Sequence, residues 1–143
     1  MICDACISLA ENKVKEIIIL NGHHGNMRAL QQVAKKLRRK MPMGVRAHTM
    51  HYWHMMKGEF DHAGEVETSL VLAIAPELVH MDRAAPNSKK LPTKAYDTSA
   101  PGSFPKITGN GVWGDPRKAT AAKGEKLIEE ITAGLAKTMA EFR

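Results

Sequence analysis

Aromatic residues make up only 5% of the 143 residues, and cysteine occurs twice. With so few rings to stack on bases, the formal charge of +6 is poor ground for nucleic-acid binding. Much of that excess lies in KKLRRK, Lys35 to Lys40, at the end of an expected helix. Cations there complement the helix dipole and make a solvated face. Cys3 and Cys6 are spaced C-x-x-C, but no strand precedes them, and Ile2, Cys6 and Leu9 share one side of a helix. That pattern favours a buried helical face over a redox pair. No run approaches the ~20 apolar residues of a membrane span. The opening MICDACISLAENK has no charged segment followed by a long apolar one, so a signal peptide is not expected and a cytoplasmic location is.

The residues that are present describe a globular α/β chain, 43% apolar and 25% charged, of a length expected to form one domain over residues 1–143. The run Ile17, Ile18, Ile19 and Leu20 has no polar alternation, so it reads as a strand covered on both faces, as in a parallel sheet. Helices are expected over Ile2 to Glu11 and from about Asn26 to Lys40, the second carrying Leu30, Val33 and Leu37 on one stripe. Pro42 and Gly44 punctuate the turn into a second strand near Val45 to Met50. Two strands joined by a helix form a parallel unit with a right-handed crossover. A further helix carries Val66, Leu70, Ala73 and Ile74 and stops near Pro76. From Ala84 to Pro116 the chain reads as a long loop, with Trp113 in GNGVWGDP pointing to order. Asp115-Pro116 then caps a helix running to Arg143, whose stripe is Leu127, Ile128, Ile131, Leu135, Met139 and Phe142.

Three groups of residues carry candidate chemistry. His23 and His24 follow the first strand in EIIILNGHHGN, where Gly22 and Gly25 would let the backbone turn and where α/β sheets bind ligands. They are either structural turn residues or metal ligands, since neutral imidazole is the commonest ligand. His62, Glu65 and Glu67 stand at a helix start. A carboxylate at a helix N-terminus explains Glu65, whereas Glu67 points toward the packed side, where a lone charge is costly unless paired or metal-bound. In HTMHYWH, His48, His51 and His54 are three apart, but they leave a strand and are expected to scatter. Trp53 either packs or contacts substrate. Asp61 and Asp115 are either ligands or, as is usual for an acidic residue beside a helix start, caps.

NGHHGN (21–26), HAGEVETS (62–69) and GVWGDPRKATAAKGE (111–125) occur in that order. Together they resemble the creatininase (creatinine amidohydrolase) family over essentially the whole chain. The resemblance implies a layered α/β/α fold with a mostly parallel sheet. It also implies metal-dependent hydrolysis of a small or cyclic amide C–N bond, a two-metal site of zinc, manganese or iron, and a homo-oligomer, commonly a hexamer. Substrates in that family include creatinine, formamidopyrimidine compounds and peptide-like cofactor precursors. Position by position, His23 matches a metal-binding histidine and His62 matches the histidine that passes a proton to the leaving nitrogen. Where the family has a metal-binding glutamate, this chain has Gly25. Glu65 is expected to replace that carboxylate as a metal ligand, with Glu67 orienting or supporting it. The implied chemistry is attack by a metal-activated water on a polarised carbonyl.

The resemblance also implies an upstream Glu-x-His and a later Asp that complete both metal sites, and this sequence has no counterpart for them. Three readings follow: a partner chain supplies the missing half, the chain is a fragment, or it is a non-catalytic binding or assembly subunit. An uncovered sheet edge would favour association.

Overall fold

In the computed structural model, residues 1–87, 104 and 108–142 are described. They fall in two compact units, Met1–Met55 with the chain from Leu135 onward, and Met56–Gly134.

The first unit is built on two strands. Helix α1 (Ile2–Glu11) leads to β1 (Glu16–Asn21), a single 3₁₀ turn (His24–Asn26) leads to α2 (Met27–Lys40), and β2 (Arg46–His51) follows. The strands pair in parallel, from Glu16 opposite Arg46 to Asn21 opposite His51, as the strand, helix, strand order requires. On one face Cys6, Ile17 and Leu37 are buried together, with Cys3, Ile7, Val14, Ile19, Val33, Val45 and Ala47 packed around them. On the opposite face the His48 ring stacks on Phe142 at 4.0 Å. Helices α1 and α2 thus pack on one face, and the chain just past the last helix meets the other. Leu20 is 50% exposed, so the expectation of a strand covered on both faces fails at its end.

Small corrections apply to the helices. In α1 the buried residues are Cys6 and Ala10, whereas Ile2 and Leu9 are exposed. The buried stripe is rotated by one position, so that Cys3 and Ile7 join it. Both cysteines are free thiols, and burial pushes the Cys6 thiol up, with Cys3 adding to the shift. In α2 Leu37 is buried while Lys35, Lys36, Arg38, Arg39 and Lys40 are exposed, the solvated basic face expected. No helix among the described residues is long and apolar enough to cross a membrane.

In the second unit α3 (Glu65–Ile74) runs to a 3₁₀ turn that Pro76 opens. Its buried residue is Ser69, with 0% exposure, while Ile74 is 72% exposed. The apolar stripe expected there is displaced because α3 meets α4 (Ala121–Ala140) through small residues. A methyl group on Gly124 would overlap the Ser69 carbonyl, so glycine sets how closely the two backbones approach. Asp115-Pro116 opens only the 3₁₀ turn Pro116–Lys118; extended backbone at Ala119 interrupts it. The long helix starts at Ala121, where Thr120 Oγ1 accepts the Lys123 N–H at 3.2 Å. Of the long loop, residues 88–107 apart from Phe104 lie outside the described residues. Trp113 is ordered as expected, in a two-way backbone bridge with His62.

Candidate functional site

In the second unit the His62 loop is clamped at several points. The His62 N–H donates to the Trp113 carbonyl at 2.9 Å, and the Trp113 N–H donates back to the His62 carbonyl at 2.7 Å. The next residue, Ala63, has φ +50°, a conformation that costs a non-glycine residue free energy unless its surroundings impose it. The imposing group is Glu67, whose Oε2 accepts the Ala63 N–H at 2.6 Å. The same oxygen lies 3.6 Å from His62 Nδ1, within ion-pair range and beyond hydrogen-bond length. Glu67 thus faces His62 and holds the strained peptide that carries it. The His62 ring also meets Phe104 edge-on, centroids 4.9 Å apart.

Asp61 is a cap, as expected, and a tightly enclosed one. Its Oδ2 accepts the Val66 N–H at 3.1 Å, which supplies the α3 terminus where the N-cap residue, Gly64, has no side chain. Its carboxylate is wedged against Gly64 and Gly114, and a Cβ at either glycine would collide with it. Burial pushes the Asp61 carboxyl above the usual carboxylate range, backbone N–H groups of Val66, Glu67 and Glu65 pull the other way, and Glu67 adds to the rise. Asp61 Oδ1 is buried without a hydrogen-bond partner.

Glu65 takes a different partner. Its Oε1 accepts from Lys123 Nζ at 2.6 Å, and the same ammonium donates to the Lys118 carbonyl at 2.9 Å. Glu65 and Glu67 therefore take separate partners: one is paired with Lys123 of α4, the other with the His62 loop. Both carboxylates stand in the first turn of α3, where the helix dipole favours them.

In the first unit Asn21 organises the strand ends. It is 3% exposed, and its Oδ1 accepts the His23 N–H at 3.1 Å and Asn26 Nδ2 at 3.2 Å. Its Nδ2 lies 2.9 Å from His51 Nδ1. His23 has extended backbone before the 3₁₀ turn. Neither Gly22 nor Gly25 has positive φ; Gly25 is required for another reason, because a Cβ there would come within 2.8 Å of the His23 ring.

The HTMHYWH histidines scatter only in part. His48 turns to Glu16, 3.1 Å from Oε2. His51 and His54 meet edge to face at 5.1 Å, Trp53 stacks on His51 at 4.9 Å, and His24 lies 5.7 Å from Trp53. Burial holds the His51 ring below the usual imidazole range, and His54 and His24 add to the depression. Asn21 and Lys123 were not singled out as site residues. Asn21 and Lys123 lie inside the motifs NGHHGN and GVWGDPRKATAAKGE, but their partners are remote in sequence.

The donor sets can be tested for a metal. Among the described residues no group of three or more His, Cys, Asp or Glu side chains could hold one. His62 and Glu67 make a pair, and Glu65 is engaged by an ammonium. These residues alone do not fit a closed metal centre.

The sequence profile of the creatininase family, described as creatinine amidohydrolase, matches residues 1–139. A mycofactocin precursor peptide peptidase from Mycobacterium ulcerans is 34% identical over 122 residues, covering 80% of this chain and 44% of that protein. Two solved creatininase structures, a manganese form and a variant of Zn-Zn type, each at 24% identity, cover 98% of this chain and 61% of theirs with TM-scores of 0.75 and 0.77. That likeness establishes the α/β fold. The chain spans about half the length of the curated relatives it matches, from 44% to 60%.

Proposed function

Because the chain belongs to the creatininase family, we propose that it contributes the proton-transfer part of an amidohydrolase site that cleaves an amide C–N bond. The observation that carries this reading is the His62–Glu67 arrangement. One carboxylate oxygen holds the strained Ala63 peptide and faces His62 Nδ1. An imidazole fixed in this way can deliver a proton to a departing nitrogen, because an amine leaves an acyl carbon readily only once it is protonated. His62 is the general acid in this reading, and Glu67 positions it.

His23 and Glu65 are proposed as two ligands of a divalent metal centre, zinc, manganese or iron. The remaining donors come from outside the described residues, from a further part of this protein, a further copy in a homo-oligomer or a partner polypeptide. Solved family members named as manganese and Zn-Zn forms support the choice of metal. Ligation requires Glu65 to share or give up its contact with Lys123. No step of the reaction is assigned to the metal here, since the donors in hand do not enclose it.

For the substrate we propose a small or cyclic amide, with a peptide-like precursor as the competing class. Relatives named as creatinine amidohydrolase and as precursor-peptide peptidase support one class each. The chain is read as one domain, residues 1–143. A non-catalytic assembly subunit is the second reading, favoured by the Lys123 pairing of Glu65.

The deciding test is amide hydrolysis by the metal-loaded assembly, with creatinine and a short peptide amide as substrates. His62→Asn should lower the rate by about 10²- to 10⁴-fold at unchanged metal content. Full activity in His62→Asn would refute the assignment of the acid, and no hydrolysis of either substrate by a metal-loaded assembly would favour the assembly subunit.

A further inference from the structure

The histidines of HTMHYWH have no part in the proton transfer above, yet one of them is held as firmly as His62. The amide of Asn21 can be oriented without ambiguity. A backbone N–H only donates, so the atom that receives the His23 N–H is oxygen, and the atom facing His51 Nδ1 at 2.9 Å is the NH₂ group. An NH₂ donor requires a lone pair on Nδ1. The proton of neutral His51 must then sit on Nε2. Asn21 is buried, where an unfilled hydrogen bond is costly, so the choice of tautomer is enforced by the core.

The ring is also fixed in orientation, with Trp53 stacked on it and His54 against it edge to face. Among the described residues Nε2 has no hydrogen-bond partner, and it is not one of the buried unpartnered atoms. His51 ends β2 at the carboxyl edge of the parallel pair, the edge at which α/β sheets meet ligands. A fixed donor beside an indole, open to solvent and spent on no internal bond, suits an acceptor oxygen on a flat, small group.

We propose that Asn21 locks His51 as the Nε2–H tautomer and that this N–H donates to a carbonyl or carboxylate oxygen of the substrate. Asn21 is the positioning residue and His51 the binding residue. The proposal rests on the amidohydrolase reading for the identity of the acceptor, and on the hydrogen-bond network alone for the donor.

Long-range ¹H–¹⁵N spectra of the labelled protein, recorded above the histidine titration range, read the tautomer directly. Wild-type His51 should show a bare Nδ1 and a protonated Nε2. Acetamide, a carbonyl without a carboxylate, and acetate, the reverse, serve as probes; at least one should shift Nε2, and which one identifies the oxygen. Asn21→Asp keeps the acceptor for the His23 N–H but replaces the NH₂ donor with an oxygen, so it should move the proton to Nδ1 and abolish the probe response. A wild-type His51 protonated on Nδ1, or an Nε2 indifferent to both probes, overturns the proposal, and both are read on the wild type should the variant fail to fold. Hydrolysis is measured separately. A donor that responds to the probes in a metal-loaded assembly that cleaves no amide refutes the enzyme reading and leaves the donor standing, and an active assembly with Nδ1–H His51 does the reverse.

Discussion

Among the described residues no donor reaches Asp61 Oδ1, which is buried where the loop closes around the carboxylate between Gly64 and Gly114. Burial raises its folded pKa above the unfolded value. The folded chain therefore holds the proton more tightly, and the stability this group contributes is present in full below the unfolded pKa and lost as pH rises through the folded one. Asp61→Asn removes that titration while leaving an acceptor for the Val66 N–H. Urea denaturation at about pH 4 and pH 7 should show the variant gaining on the wild type at the higher pH; a difference independent of pH would contradict a buried, raised carboxyl. Glu67→Gln tests the neighbouring clamp. It weakens the hold on the Ala63 peptide and removes the charge facing His62, so hydrolysis by the assembled protein should fall at unchanged metal content, and an unaltered rate would deny Glu67 its role. His62 and Glu67 were legible as candidates because they stand together at a helix start, but Glu67 was expected to support Glu65 and instead faces His62. Asn21 and Lys123 were not, since Asn21 acts on His51 across the strand pair and Lys123 reaches Glu65 from another helix. Periodicity along one segment carries no information about either.

At the scale of elements, α1, α2 and both strands lie within a residue or two of where hydrophobic spacing puts them, because each buries a regular stripe in a shared core. The elements of the second unit follow a different rule. There α3 and α4 meet through Ser69 and Gly124, and the Thr120 N–H donates to Ser69 Oγ at 3.2 Å. Hydrophobic patterns do not mark such a seam, which is why Ile74 was assigned to a face that the fold leaves exposed. Gly124→Ala places a methyl group on the Ser69 carbonyl. Backbone cannot step aside as a side chain can, so the helices must separate at a cost of about 1–3 kcal/mol. The change should lower the urea midpoint with little change in slope. Neutral behaviour or a gain, as expected for glycine to alanine in an exposed helix, would contradict so close an approach.

For the whole molecule, the family and fold were legible from three motifs in order, because each motif ties backbone geometry to a chemical group: the strand-end turn, the His62 loop and the Asp115 turn. The metal centre was not legible to the same depth. The sequence places His23 and Glu65 where a family member would use them, but the described donors do not enclose an ion, and Glu65 rests on Lys123. The account therefore assigns the remaining ligands to residues outside the described ones, in a further part of this protein, another copy or another polypeptide. Elemental analysis of the purified chain, taken with its intact mass and oligomeric state, tests this most directly. The prediction is less than one tightly held transition-metal ion per isolated chain, rising toward about two only when a further polypeptide joins the assembly; about two ions held by the isolated chain alone would contradict it.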